Sequence, residues 1–83
     1  MSYQDVVKIH VVRMFELYPE KVDDVSRTSG LNLRSDGTND ADTPEDVTRY
    51  LNAVSTVIGP LVASTARLAL FGESRRLGIK AKF

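Results

Sequence analysis

A single run of largely apolar side chains constrains this chain more than anything else in it. Val47, Leu51, Val54, Ile58, Leu61, Thr65 and Leu68 recur at alternating spacings of four and three. That period marks one stripe of an α-helix made to lie against other helices. Gly59-Pro60 interrupts the run, and an interior proline costs a helix about 3 kcal/mol through its missing donor and its ring clash. The register nevertheless carries from Ile58 to Leu61, so residues 44–71 read as one long helix, kinked near Gly59-Pro60. Its start is the clearest in the sequence: Thr43 as N-cap, Pro44 at the first helical position, and Glu45 and Asp46 at the positive end of the dipole.

Two shorter helices are expected before it. Residues 2–18 open with a Ser2 cap and Asp5, and place Val7, Val11, Met14, Phe15 and Tyr18 on one stripe. The alternation Val7, Ile9, Val11 fits a strand, but Met14-Phe15-Glu16-Leu17 carries the run past strand length. Pro19 ends this helix or opens the next, over 20–29, with Val22 and Val25 inward and Gly30 as a left-handed cap. Residues 31–42, LNLRSDGTNDAD, concentrate the turn-forming residues and read as the loop of the molecule. Residues 72–83 carry Arg75, Arg76, Lys80 and Lys82 against the single acid Glu73 and read as a basic tail. The fold class is therefore all-α: a single domain of three helices, an acidic loop and a basic tail.

The proportions of that plan matter. A continuous helix over 45–71 would be about 40 Å long, whereas a compact chain of 83 residues spans about 30 Å. Either the helix folds back at Pro60 or partner chains cover its overhang, and the second is the expectation. A chain this small has a thin core, and zero cysteines leave no disulfide to staple it. Eleven basic and eleven acidic side chains cancel, so no net field draws the whole molecule to nucleic acid or to an anionic membrane. Residues 54–71 approach the length of a membrane span, but Arg67, Gly59-Pro60 and several hydroxyls would sit poorly in lipid. No basic segment followed by an apolar core stands at the N-terminus, so the expected location is cytoplasmic.

Candidates for chemistry are few. His10 is the only histidine, and its helical neighbours Val6, Val7, Arg13 and Met14 include no carboxylate; the expected role is structural rather than catalytic. The carboxylates of residues 36–42 resemble a hard-cation loop. With Gly37 at the sixth place of an EF-hand, however, Asn32 falls first, Arg34 third and Thr43 twelfth, so the leading aspartate and the bidentate glutamate are both missing. Phosphate loops, nucleophile elbows and paired-acid motifs are absent from the sequence. No enzymatic activity, cofactor, metal or small-molecule substrate is expected.

Residues 24–32, DVSRTSGLN, resemble the first helix and turn of a helix-turn-helix reader, and 43–52, TPEDVTRYLN, resemble a recognition helix. About ten aspartate-rich residues separate them, which would open the turn and repel phosphate. A nucleic-acid binder using Arg27, Arg49 and the C-terminal bases is therefore the alternative expectation. The leading one is a non-enzymatic helical module that self-associates, serving as an assembly subunit, adaptor or inhibitor of a larger protein partner. Its oligomer interface is expected on Tyr50, Leu51, Val54, Val57, Ile58, Leu61, Leu68 and Phe71. Charged partner contacts are expected from acidic Asp36, Asp40 and Asp42 and from basic Arg75, Arg76, Lys80 and Lys82, meeting head to tail.

Overall fold

The computed structural model describes residues 2–83 and is all-helical: α1 (Tyr3–Leu17), α2 (Val22–Ser29), α3 (Pro44–Val57) and α4 (Pro60–Leu77). The start of α3 follows from a reciprocal cap. The Asp46 backbone N–H donates to Thr43 Oγ1 (3.2 Å), and Asp46 Oδ2 accepts from the N–H groups of Thr43 (3.2 Å) and Asp42 (2.8 Å). Gly30, at φ +75°, closes α2 as its left-handed cap.

The expected third helix is two helices. At the end of α3, the N–H groups of Ile58 (2.9 Å) and Gly59 (3.1 Å) both donate to the Val54 carbonyl. Gly59 then takes φ +147°, and Pro60 opens α4 at its first position, where no donor is needed. The chain turns back on itself, so that Leu51, Asn52 and Ser55 of α3 border the same small groove as Pro60, Ala63, Ser64 and Arg67 of α4. The radius of gyration is 11.1 Å and the extents are 32 × 24 × 20 Å, so no helix overhangs the body.

The turn divides the apolar stripe in two. In α3 it faces inward: Val47, Leu51 and Val54 are buried beside Tyr50. In α4 the buried face is Ala63, Ala66, Leu70 and Ser74, while the stripe's continuation points to solvent, with Leu61 83% and Leu68 70% exposed. Phase continuity in sequence is not continuity in space here. Because Gly59 reorients the backbone, the two halves of one stripe serve opposite surfaces.

Residues 31–42 form an ordered hairpin with an antiparallel bridge between Leu33 and Asn39. Its tip lies on α1 so closely that a Cβ on Gly37 would stand 2.7 Å from the Lys8 carbonyl oxygen and 2.8 Å from Val12 Cγ2. Buried Asn39 donates through Nδ2 to the carbonyls of Gly37 (2.9 Å) and Gln4 (3.1 Å) and accepts from the Ala41 N–H (3.1 Å). Leu31 and Ala41 are buried beneath it.

The basic segment also differs from expectation. Its first half is the last turns of α4, ended by Gly78 at φ +72°, with Gly78 N–H on Arg75 O (3.2 Å) and Ile79 N–H on Ser74 O (2.8 Å). The remainder packs on its own chain. Phe83 stacks on Phe71 with ring centroids 5.4 Å apart, and Tyr3 Oη donates to the Lys80 carbonyl (3.2 Å).

Two glycine substitutions separate backbone strain from steric contact. Gly30→Ala, at positive φ but with nothing within 4 Å of the added Cβ, is expected to cost about 1 kcal/mol in urea unfolding. Gly37→Ala, at φ +91° and against the α1 backbone, is expected to cost at least about 2 kcal/mol more. Equal losses would contradict the packing of the hairpin on α1.

Candidate functional site

Helices α1 and α4 run antiparallel, the end of α1 beside the start of α4, and leave a groove of about 540 Å³ between them. Ile9, Arg13, Leu17 and Tyr18 line it from α1, and Leu61, Val62, Thr65 and Ala69 from α4, over buried Met14 and Ala66. Three of its lining side chains are large and apolar yet face water: Ile9 at 51%, Leu17 at 67% and Leu61 at 83% exposure. Toward the other end of the helix pair the lining turns charged, with Asp5, Lys8, Glu73 and Arg76. This open apolar trough meets the α4 ridge at Leu61 and is a surface that water covers unfavourably.

His10 borders this groove, but its chemistry is turned inward. Nδ1 lies 2.6 Å from Tyr50 Oη, and the rings meet edge to face at 5.5 Å. Tyr50 is fully buried, and burial pushes its hydroxyl pKa up. Desolvation, helped by the Arg13 charge, holds His10 down at about 4, so the imidazole is neutral at pH 7. With no carboxylate joining it, the pair ties α1 to α3 and lacks the second acid or base that proton transfer to a substrate would use.

The residues anticipated as an interface fall into three groups. Tyr50, Leu51 and Val54 belong to the core of the single chain, so burial within the chain removes them from any contact surface. Val57 and Ile58 are partly covered and packed against that core, and Phe71 is partly covered and stacks on Phe83. Leu61 and Leu68 alone stand clear of it. Ile9, Arg13 and Leu17 were not singled out from the sequence. Their signal is that the inward stripe Val7, Val11, Met14 leaves them on the flank of α1.

Of the charged residues anticipated as partner contacts, Asp36, Asp40 and Arg76 are occupied locally. Asp36 Oδ1 accepts from Thr38 Oγ1 (2.7 Å) and Thr38 N–H (2.9 Å), and these bonds hold its pKa below the usual range. Asp40 accepts from the Asn32 N–H (2.9 Å). Arg76 forms a forked pair with Glu73 (3.0 and 2.6 Å). Asp42, Arg75, Lys80 and Lys82 make no ion pair among the described residues. Among those residues no three His, Asp or Glu side chains converge as a metal site, and no helix is long and apolar enough to cross a membrane. The segments resembling a helix-turn-helix become α2 and α3, separated by the hairpin, with Arg27 paired to Asp24 and Arg49 to Asp46. Comparison of the chain with protein-family models, curated proteins and solved structures found no match.

The neutral histidine sets a pH dependence. The unfolded chain takes up a proton near pH 6.5 and the folded chain not until about 4, so stability falls as the pH drops through that window, by a total of about 3 kcal/mol. Asp46 and Glu73 carry lowered pKa values, from the Asp42 N–H and from Arg76 respectively, and lose their contributions as the pH falls below their ordinary carboxylate values, toward the acid end of that window and beyond it. His10→Gln should flatten the profile between pH 6.5 and 4 in chemical denaturation; an unchanged slope would contradict the buried neutral imidazole. Tyr50→Phe should cost about 1–2 kcal/mol at pH 7 by leaving Nδ1 without its partner.

Proposed function

We propose that this chain is a non-enzymatic helical module that acts through protein contacts and self-associates through the outward ridge of α4 and the groove beside it. The single observation that carries this reading is the exposure of Leu61 and Leu68, one helical heptad apart, with Leu61 sharing the groove with exposed Ile9 and Leu17 of the antiparallel neighbour. Large apolar side chains scattered singly over a surface need no explanation, whereas four along one helix pair form a patch. Size argues in the same direction. An 83-residue chain without disulfides draws on a small core, and covering this ridge adds apolar burial that a single copy lacks.

A contact role is favoured over catalysis because the one histidine is spent on Tyr50 and the acids of the hairpin on backbone and neighbouring side chains. The assembly-subunit, adaptor and inhibitor roles share this surface and differ in what else binds to it.

Sedimentation velocity from about 10 to about 500 µM tests the reading, with a concentration-dependent rise in mass expected at micromolar values. The double substitution Leu61→Ser/Leu68→Ser should abolish that rise and leave the unfolding midpoint of the dilute chain nearly unchanged, because neither leucine supports the core. A chain that stays monomeric throughout overturns self-association. The nucleic-acid alternative is separated by titration with random duplex at low salt, where binding that weakens steeply as salt rises would support it.

A further inference from the structure

The outward ridge of α4 is Leu61, Thr65, Leu68, Gly72 and Arg75, spaced four, three, four and three. All five are exposed or partly so, and none belongs to the buried face Ala63, Ala66, Leu70, Ser74. In heptad terms the ridge alternates between the two seam positions of a coiled coil, with Leu61, Leu68 and Arg75 in one class and Thr65 and Gly72 in the other. The large side chains thus share one class and the small ones share the other. This inequality has a consequence for how two copies can meet.

Resting on the self-association reading, we infer that the partner on this ridge is a second copy of the chain, paired α4 to α4 in antiparallel fashion about a two-fold axis between Thr65 and Leu68. An antiparallel seam brings one class opposite the other, so Leu61 of one copy meets Gly72 of its partner, and Leu68 meets Thr65. Each leucine then fills the space over a small residue. At Gly72 that space is real: a Cβ placed there would meet nothing within 4 Å. A parallel seam stacks like on like. It would leave an empty layer at Gly72 and set Arg75 against Arg75, an unfavourable meeting of like charges.

Charge favours the same arrangement. Arg75 continues the ridge and has no carboxylate partner among the described residues, unlike neighbouring Arg76, which Glu73 holds. In the antiparallel pair it reaches beyond Pro60 of the other copy, toward the corner where α1 ends beside the start of α4. That corner carries the exposed acids Glu16 and Glu20, and the two-fold repeats the match at both ends of the interface.

The area sets the strength. A ridge of 18 residues is about 27 Å long, and with the flank of α1 it offers roughly 500 Å² per copy, below a standard stable interface and in the range of weak micromolar association.

The chain has no cysteine, so cross-linking reports geometry without background. Leu61→Cys and Gly72→Cys are made as single substitutions in the full chain and oxidised at high micromolar concentration, each alone and as an equal mixture. In the antiparallel pair each introduced thiol lies about 16 Å from its own copy across the axis, too far for a disulfide, but faces the other variant's thiol directly. The mixture alone should therefore yield a covalent heterodimer. Efficient self-cross-linking of Leu61→Cys overturns the arrangement in favour of a parallel one. A parent chain that dimerises by sedimentation while the mixture fails to cross-link overturns the arrangement and leaves self-association standing; a parent chain monomeric throughout overturns both. As a second readout, Gly72→Leu, which removes a helix-weakening glycine and meets no neighbour in the single chain, should fold at least as stably as the parent and raise the dissociation constant about tenfold or more. Unaltered dimerisation of that variant also overturns the proposal.

Discussion

Everything outward on this molecule follows from two adjacent residues. Gly59 adopts a backbone conformation that side chains resist, and Pro60 cannot donate the hydrogen bond that would continue α3. Together they turn an apolar stripe that could have been one long seam into two helices lying on each other. Had the helix run on, its leucines would share one face and the chain would need partners along its whole length. With the turn, α3 turns its half of the stripe into the core, and α4 contributes buried Ala63, Ala66, Leu70 and Ser74 with partly covered Val62 and Leu77. The small residues allow close approach between helices, and the large ones Leu61 and Leu68 are left on the opposite side.

The same turn explains which parts of the structure were legible in the sequence. The start of α3 and the end of α2 were plain because they rest on local chemistry: the Thr43–Asp46 cap acts within four residues, as does the Gly30 cap. The all-helical class, and the inward faces of α1 and α2 at Val7, Val11, Met14, Val22 and Val25, followed from periodicity. The helix count did not. A four-three spacing records where side chains fall on an uninterrupted helix, and it has no term for the reorientation that a single positive φ introduces. The competing stripe in α4 consists of two alanines, one leucine and one serine, which carries little hydropathic weight against Leu61 and Leu68 even though it is the buried one.

The loop was misleading for a related reason. Residues 31–42 are polar in composition, yet Asn39 is buried with its amide fully used by backbone groups, and Gly37 fits against α1 because it lacks a side chain. Local turn chemistry identified the segment; only the tertiary contact to Gln4, Lys8 and Val12 shows that it forms part of the body. The C-terminal bases were legible as a charge cluster, but the stacking of Phe83 on Phe71 that folds the chain end back depends on residues twelve apart in sequence. As for the surface, Leu61 and Leu68 were recognisable in the stripe, whereas Ile9, Arg13 and Leu17 emerged only once α1 lay beside α4.

The central claim is that one sequence stripe serves two surfaces, its first half inside a single chain and its second half on the outside. Methyl-resolved NMR of a dilute sample with a soluble paramagnetic agent tests this most directly. The account predicts strong relaxation of the Leu61 and Leu68 methyls and protection of those of Leu51, Val54 and Leu70. Protection of Leu61 and Leu68 to the same degree as Leu51 under those dilute conditions would mean that the stripe is continuous and inward, and would contradict the account.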